Sequence, residues 1–184
     1  MARTPSSMAA LGSRAPEFSL PDVVSGKMVT RRDVAGPKGM LAMFICRHCP
    51  FVMHVQDELS KLGRDYATSG VGIVAIGAND ELTHPEDSPA NLAAMAKELG
   101  FTFPYLFDGS QDVARAYDAQ CTPDFFLYDS QGALAYRGQL DDSRPGNGQP
   151  VTGKDLRAAL DALIAGRPVP ADQRPSIGCN IKWK

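Results

Sequence analysis

Two hydrophobic patterns alternate along the chain. Residues 40–45 (MLAMFI) and 71–78 (VGIVAIGA) are apolar apart from glycine, which is typical of strands buried on both faces of a sheet. From Pro50 onward apolar residues recur at steps of three and four, which predicts a helix with one buried stripe that Gly70 ends. The later predicted elements are helices over 90–99, 112–117 and 155–164, a strand over 104–107, and a hairpin of 125–128 with 133–137.

The order of these elements predicts an α/β architecture. Alternating strands and helices favour parallel strands with crossover helices, and the late hairpin adds antiparallel edges. Residues 15–22 and 27–30 lie on either side of a Ser25-Gly26 turn and predict an N-terminal hairpin extension. We therefore expect a three-layer sandwich with a mixed central sheet and helices on both faces. The expected divisions are a flexible N-terminus over 1–14, one domain over 15–166, and a C-terminal tail over 167–184 that packs on the domain.

The composition is that of an ordinary globular protein and argues against two classes of partner. The 184 residues include 19 basic and 21 acidic residues, for a formal net charge of −2, so nothing favours nucleic-acid binding. No apolar run approaches the roughly 20 residues that cross a bilayer, so we expect no membrane partner. The first 15 residues lack the apolar stretch of a secretory signal. We expect a cytoplasmic protein that is a monomer or a homodimer.

Candidate chemistry lies in the segment Cys46-Arg47-His48-Cys49, where the first buried strand meets the first long helix. The spacing brings the two sulfurs close enough for a small-ring disulfide, and the helix N-terminus stabilises a thiolate on Cys46. Arg47 adds a fixed positive charge, and His48 adds another if it is protonated. We predict that Cys46 is a nucleophile and Cys49 its resolving thiol, in a reaction that needs no cofactor and no metal.

A metal site is the alternative from another functional class. Zinc sites use the same Cys-x-x-Cys spacing in pairs, and the sequence has no second pair. His48 and His54 could complete a site with Cys121 or Cys179, and soft thiolates suit copper(I) or zinc. The hypothesis of a Cys/His metal-binding protein therefore stays open beside that of a redox enzyme.

Several stretches, in this order, carry a resemblance to a known family: APEFSLPD with SGKMVT, MFICRHCPF, VGIVAIGAND, and CTPDFFLYDSQGALAYRG. The chain resembles the thioredoxin-like superfamily and, within it, the redoxin or AhpC/TSA-like group that links thioredoxins to peroxiredoxins. The resemblance covers residues 15–164 and implies a thioredoxin-like redoxin domain that works as a thiol-disulfide oxidoreductase. The expected partners are a disulfide-containing protein or a small thiol, together with an upstream thiol reductant.

The resemblance also implies roles for two residues near Cys121. Pro123 would be the cis-proline that faces the redox motif, and Thr122 before it would offer its backbone to a bound substrate chain. The sequence itself says only that Thr122-Pro123 precedes a strand, for which a trans proline at a strand's start is the default.

Departures from the family patterns bear on the reaction. Peroxiredoxins place a threonine three residues before the peroxidatic cysteine and a proline four residues before that threonine, where this chain has Met43 and Gly39. A peroxidase that passes through a sulfenic acid on Cys46 is therefore the alternative rather than the leading hypothesis. The motif has a histidine, His48, directly before its second cysteine, and in this it resembles the motif of oxidising disulfide-exchange proteins. The direction of electron flow therefore stays open.

Two cysteines lie outside the motif. Cys121 is expected near it if the fold is right, either as a second resolving thiol or as a small buried core residue. For Cys179 the favoured interpretation is a free thiol that packs with Ile181 and Trp183 against the domain.

Overall fold

The computed structural model describes residues 3–184 and contains one mixed central sheet with helices on both sides. The strands are β1 (Arg3–Pro5), β2 (Ser19–Pro21), β3 (Met28–Thr30), β4 (Gly39–Phe44), β5 (Val71–Gly77), β6 (Tyr105–Phe107), β7 (Cys121–Thr122), β8 (Asp124–Asp129), β9 (Leu134–Gly138) and β10 (Ile177–Asn180). The helices are α1 (Arg31–Val34), α2 (Pro50–Asp65), α3 (Pro89–Glu98), α4 (Asp112–Ala116) and α5 (Lys154–Ile164), and a short 3₁₀ turn spans Pro85–Asp87.

The central sheet joins parallel and antiparallel pairs, as the order of predicted elements requires. Strand β4 pairs antiparallel with β8, which pairs antiparallel with β9. Strands β5 and β6 pair in parallel. A hydrogen bond from the backbone N–H of Ile45 to the carbonyl oxygen of Ile76 (3.1 Å) holds the end of β4 beside β5. The Cys46–Cys49 segment therefore begins in the middle of the sheet.

Alternation along β4 divides the core into two layers, because successive side chains of a strand point to opposite faces. Leu41 and Met43 pack with buried residues of α2, α3 and α5 on one face. Met40, Ala42 and Phe44 pack on the other face with α4 and the β2–β3 hairpin. Every residue of β4 is buried, which explains why its sequence is apolar throughout.

A second, small sheet lies outside the sequence predictions. Strand β10 pairs antiparallel with both β1 and β7, so it forms the middle of a sheet in the order β1-β10-β7. The expectation of a flexible N-terminus over 1–14 is thereby corrected for residues 3–14, because Arg3–Pro5 pairs with the tail and Gly12 donates to the carbonyl oxygen of Leu134. Residues 1 and 2 of that expected segment lie outside the described residues.

For the remaining predicted elements, most of the predicted boundaries lie within one or two residues of the observed ones. The N-terminal hairpin forms from β2 and β3 with Leu20 opposite Val29. Among the helices of residues 3–184, none combines the length and the apolar character that a bilayer crossing requires.

Candidate active site

The Cys46–Cys49 motif forms the loop between β4 and α2. Cys49 is the N-cap of α2, with extended backbone angles (φ −73°, ψ 122°), and Pro50 occupies the first helical turn, where a missing N–H costs no hydrogen bond. The hydroxyl of Tyr105 donates to the carbonyl oxygen of Ile45 (3.1 Å). The chain is thus fixed on both sides of the motif.

Thr122 contacts both cysteines of the motif. Its hydroxyl oxygen lies 3.2 Å from Cys46 Sγ, and its carbonyl oxygen lies 3.1 Å from Cys49 Sγ, whose thiol donates to it when protonated. The Thr122–Pro123 peptide bond is cis, as the resemblance implies. Cys46 and Cys49 are 1% and 0% exposed, so both sulfurs lie beneath the protein surface.

The pKa values of the two motif thiols shift in opposite directions. Accepting the proton of Cys46, together with a hydrogen bond from the Cys179 side chain, lowers the pKa of Cys49 to about 4 against the opposing effect of burial. Burial, and then donation to Cys49, raises the pKa of Cys46 well above its ordinary value. The sequence prediction placed the stabilised thiolate on Cys46. These contacts favour a thiolate on Cys49 instead, because the hydrogen bonds that lower its pKa outweigh its burial.

This proton arrangement predicts a thiolate that persists in acid. In the reduced protein, thiolate absorbance in the far ultraviolet is expected to remain as the pH falls from 9.0 and to disappear only through about 4. The lowered pKa also stabilises the folded state, and this contribution is full above about pH 9, declines progressively as the pH falls from about 9 to about 4, and is absent below that. Cys49→Ser should remove the acid-side transition, and Cys121→Ser should keep it. A single transition near pH 9 in the wild type would contradict the assignment.

Asp87 organises the motif, although sequence reasoning did not identify it. Its buried carboxylate accepts hydrogen bonds from the backbone N–H of Arg47 (2.7 Å) and of His48 (3.3 Å), from His48 Nδ1 (2.5 Å), and from Asn79 Nδ2 (2.7 Å). Burial alone would raise the pKa of Asp87, but these hydrogen bonds bring it below its ordinary value. The carboxylate is therefore ionised and fixes the conformation of the loop.

His48 carries the positive charge at the motif. Its hydrogen bond to Asp87 raises the pKa of the imidazole, in opposition to partial burial, so the ring is protonated over a wider pH range than a free histidine. The ring of His84 stacks on it, with centroids 5.0 Å apart.

Arg47 does not bring its charge to the thiols. Its guanidinium donates to the carbonyl oxygen of Asn91 (2.9 Å) and pairs with Glu98 on α3 (3.0 Å). An exposed pair of this kind contributes about 0–1 kcal/mol. The predicted electrostatic role of Arg47 is therefore replaced by a structural one, in which its backbone N–H binds Asp87.

The two remaining cysteines differ in their contacts with the motif. The thiol of Cys121 donates to the carbonyl oxygen of Pro123 (3.6 Å), and burial raises its pKa far above the ordinary value. Cys179 instead hydrogen-bonds to Cys49 through both its side chain and its backbone. Cys179 is buried against the domain, and its contact with Cys49 adds a place beside the motif that the packing interpretation did not include. Its position in the β1-β10-β7 sheet follows from long-range pairing, and no local sequence signal marks it.

The metal hypothesis has one candidate cluster among the described residues. Cys46, His48 and Asp87 offer ligand atoms that lie within 4.8 Å of one another. His54, which the sequence offered as a ligand, instead bonds through Nε2 to the hydroxyl of Ser143 (2.7 Å). Because Asp87 already accepts hydrogen bonds from four groups, the cluster suits the positioning of a loop better than the binding of a cation.

Comparisons with known proteins agree with this geometry. The family model described as Redoxin matches residues 10–159. The thiol-disulfide oxidoreductase ResA of Halalkalibacterium halodurans is 29% identical over 129 residues, which are 70% of this chain and 68% of that protein. The crystal structure of a conserved protein from Geobacillus kaustophilus is 56% identical, with a TM-score of 0.98 over 100% of this chain and 97% of that one.

A more distant structure shows the fold alone. Peroxidoxin BcpB from Mycobacterium tuberculosis is 17% identical, with a TM-score of 0.63 over 85% of this chain and 97% of that one. The α/β thioredoxin-like sandwich predicted from the sequence is thereby confirmed. With four-fifths of its length matched by the family model, the chain belongs to the Redoxin family.

Proposed function

We propose that the protein is a thiol-disulfide oxidoreductase that uses the Cys46/Cys49 pair on disulfides and thiols. The hydrogen-bonded thiol and thiolate at the junction of β4 and α2 carry this proposal. The kinship with ResA, an oxidoreductase of this class, supports it.

Cys46 is the attacking sulfur, and Cys49 is its internal base. As Cys46 forms a bond to a substrate sulfur, its proton passes along the existing hydrogen bond to the Cys49 thiolate. The substrate's S–S bond breaks, and its second sulfur leaves as a thiolate. The net charge of the pair is conserved until the leaving group departs, so no isolated charge is created in the buried site.

Cys49 then resolves the mixed disulfide. Its thiol loses the proton to the departed thiolate and attacks Cys46, which releases the reduced substrate thiol and leaves a Cys46–Cys49 disulfide. A thiol reductant returns the pair to the starting state by the reverse exchange. The direction in which electrons flow under cellular conditions depends on the reduction potential relative to that of the partners.

The approach to Cys46 is proposed to lie on the side of Arg47 and His48. These are the half-buried residues of the motif, whereas both sulfurs are covered. Thr122 is paired with Cys179 of the chain's own tail. Its expected role of binding a substrate chain through its backbone therefore requires that β10 shift, and the role we propose for Thr122 is to hold the two sulfurs.

A peroxidase is the second candidate, and one observation favours it. Met43 and Gly39 are buried in β4 and supply no hydroxyl, but the hydroxyl of Thr122 lies 3.2 Å from Cys46 Sγ. That hydroxyl comes from a different part of the chain than the peroxiredoxin threonine. A hydroxyl beside the sulfur is the only peroxidase feature that the described site contains.

The two candidates differ in their preferred oxidant. Fully reduced protein is mixed with a disulfide-containing peptide or with hydrogen peroxide at equal concentration, and the loss of free thiols is followed. We expect the disulfide to react at least about tenfold faster, since the site provides a resolving thiol and a base for exchange. Faster reaction with peroxide would replace this proposal by the peroxidase. The cytoplasmic location and the oligomeric state stay predictions.

A further inference from the structure

Strand β10 brings a third sulfur to the redox motif. Cys179 is directly opposite Thr122 in the antiparallel β10–β7 pair, and Thr122 contacts both motif sulfurs. The neighbouring Gly178 is required for this approach, because a Cβ there would lie 2.0 Å from the carbonyl oxygen of Thr122. Cys179 is 2% exposed and belongs to the same buried cluster as Cys46 and Cys49.

Cys49 is the central sulfur of the three. Its Sγ lies 3.1 Å from the carbonyl oxygen of Thr122, the residue directly opposite Cys179, and hydrogen bonding from both Cys46 and Cys179 lowers its pKa. A disulfide can move along such a set only if the middle sulfur contacts both outer ones, and Cys49 meets that requirement. Cys121 does not join the set, because neighbouring residues of a strand point to opposite faces and its thiol bonds to Pro123.

We propose that Cys179 is a third redox-active thiol that takes over the disulfide from Cys46, forming a Cys49–Cys179 bond inside the core. The inference rests on the proposed function for its first disulfide, which Cys46 and Cys49 form. The proposal adds a second oxidised state of the site, the Cys49–Cys179 disulfide, which is at the same oxidation level as the Cys46–Cys49 disulfide.

The step is an internal exchange that needs no further oxidant. The Cys179 sulfur attacks Cys49 Sγ, a Cys49–Cys179 bond forms, and the Cys46–Cys49 bond breaks. The electron pair of the broken bond stays on Cys46, which takes up the proton that Cys179 loses. The products are one disulfide and one thiol, as before the step.

The fold holds the tail in place for this exchange without a covalent bond. The hydroxyl of Ser176 donates to the carbonyl oxygen of Pro123 (2.6 Å), and the backbone N–H of Lys182 donates to Asn79 Oδ1 (2.8 Å). Anchors on both sides of Cys179 keep its sulfur at Cys49, which raises its effective concentration. The exchange frees Cys46 as a thiol while the oxidising equivalent stays buried.

Mapping the disulfides of the oxidised wild type tests the proposal. Reduced protein is treated with one equivalent of oxidised glutathione, quenched in acid, alkylated and digested, and linked peptides are identified by mass spectrometry. We expect two linkages, Cys46–Cys49 and Cys49–Cys179. Detection of Cys46–Cys49 alone would overturn the proposal.

Variants separate the new linkage from the proposed function. Cys46→Ser keeps three of the four cysteines and, on prolonged treatment with hydrogen peroxide, an oxidant small enough to reach a buried thiol, is expected to lose two free thiols, with Cys49 linked to Cys179. Two double variants are compared. Cys46→Ser combined with Cys121→Ser should still form the Cys49–Cys179 linkage, and Cys46→Ser combined with Cys179→Ser should not. A link from Cys49 to Cys121, or three remaining thiols, would contradict the role of Cys179. Because this linkage forms without Cys46, its presence does not depend on whether wild-type exchange needs Cys46.

Discussion

Cys46→Ser is expected to reduce exchange with a peptide disulfide to the uncatalysed background, a loss of roughly a thousandfold or more for a removed nucleophile. The reason is that Cys46 is the sulfur that bonds to the substrate in the proposed mechanism, and Cys49, which is equally buried, is not positioned to replace it on the side of Arg47 and His48. Cys49→Ser is expected to keep the first step and to accumulate a mixed disulfide at Cys46. That step should be slower than in the wild type, because serine does not accept the proton of Cys46.

The measurement is the initial rate of exchange, followed by mass analysis of the trapped protein. Cys121→Ser is the matched control, since it removes a buried thiol whose hydrogen bond goes to Pro123 and should keep wild-type exchange. If Cys46→Ser kept its rate while Cys49→Ser lost it, the roles of the two sulfurs would be reversed. The low pKa of Cys49 makes this comparison decisive, because thiolate character alone would favour Cys49 as the nucleophile.

Local patterns were sufficient to predict the central sheet and its helices. Residues 40–45 are apolar because every side chain of β4 is buried, and the stripe on α2 recurs because Val52, Val55 and Leu59 face one core. Such patterns report burial directly, so they predicted the elements and their order. The Cys-x-x-Cys motif was found in the same way, from its place between a strand and a helix.

Long-range pairing was beyond the same reasoning. Strands β1 and β10 have three and four residues, too few for a periodic pattern, and they form because each satisfies the other's backbone groups. Asp87 reaches the motif from a separate loop, and its four hydrogen bonds depend on the packing of that loop. The sequence therefore predicted two of the three adjacent sulfurs and missed Cys179 and the carboxylate that orients the motif.

Charge at the site was also misplaced by sequence reasoning. The helix begins at Pro50, as predicted, but the position of the thiolate depends on contacts that a sequence does not show: hydrogen bonds lower the pKa of Cys49, and burial raises that of Cys46. A sequence also does not show which way a long side chain points. The Arg47 guanidinium pairs with the Glu98 carboxylate rather than with the sulfurs. Both the position of the thiolate and the direction of the Arg47 side chain depend on short-range contacts that form only in the folded chain.

A buried carboxyl beside the cis-proline extends the same argument to stability. Asp124 opens β8 directly after Pro123 and is 0% exposed, and one of its oxygens accepts a hydrogen bond from the backbone N–H of Gln120 (3.2 Å). Burial raises the pKa of Asp124 from its ordinary 3.8 to about 7, because desolvation outweighs these hydrogen bonds. The folded state therefore holds a proton there that the unfolded state has lost.

Asp124→Asn is expected to stabilise the protein increasingly as the pH rises from about 4 to about 7. In this range the wild type's unfolded state releases the proton while its folded state keeps it, so the wild type loses about 1.4 kcal/mol of stability per pH unit, roughly 4 kcal/mol in all. The amide does not ionise, so the variant avoids this loss. Chemical unfolding at a series of pH values measures the difference between the two proteins, in which the opposing contribution of Cys49 cancels.

The expected difference rises up to about pH 7 and is constant above it, where the carboxyl is ionised in both states. Asp172→Asn, at an exposed position of the tail, is the matched control and should change the free energy of unfolding by less than about 0.5 kcal/mol throughout. Parallel pH profiles for wild type and Asp124→Asn would show that the carboxyl is not protonated in the fold. A rising difference would show that a neutral carboxyl follows the cis-proline, two residues from Thr122, which contacts both redox sulfurs.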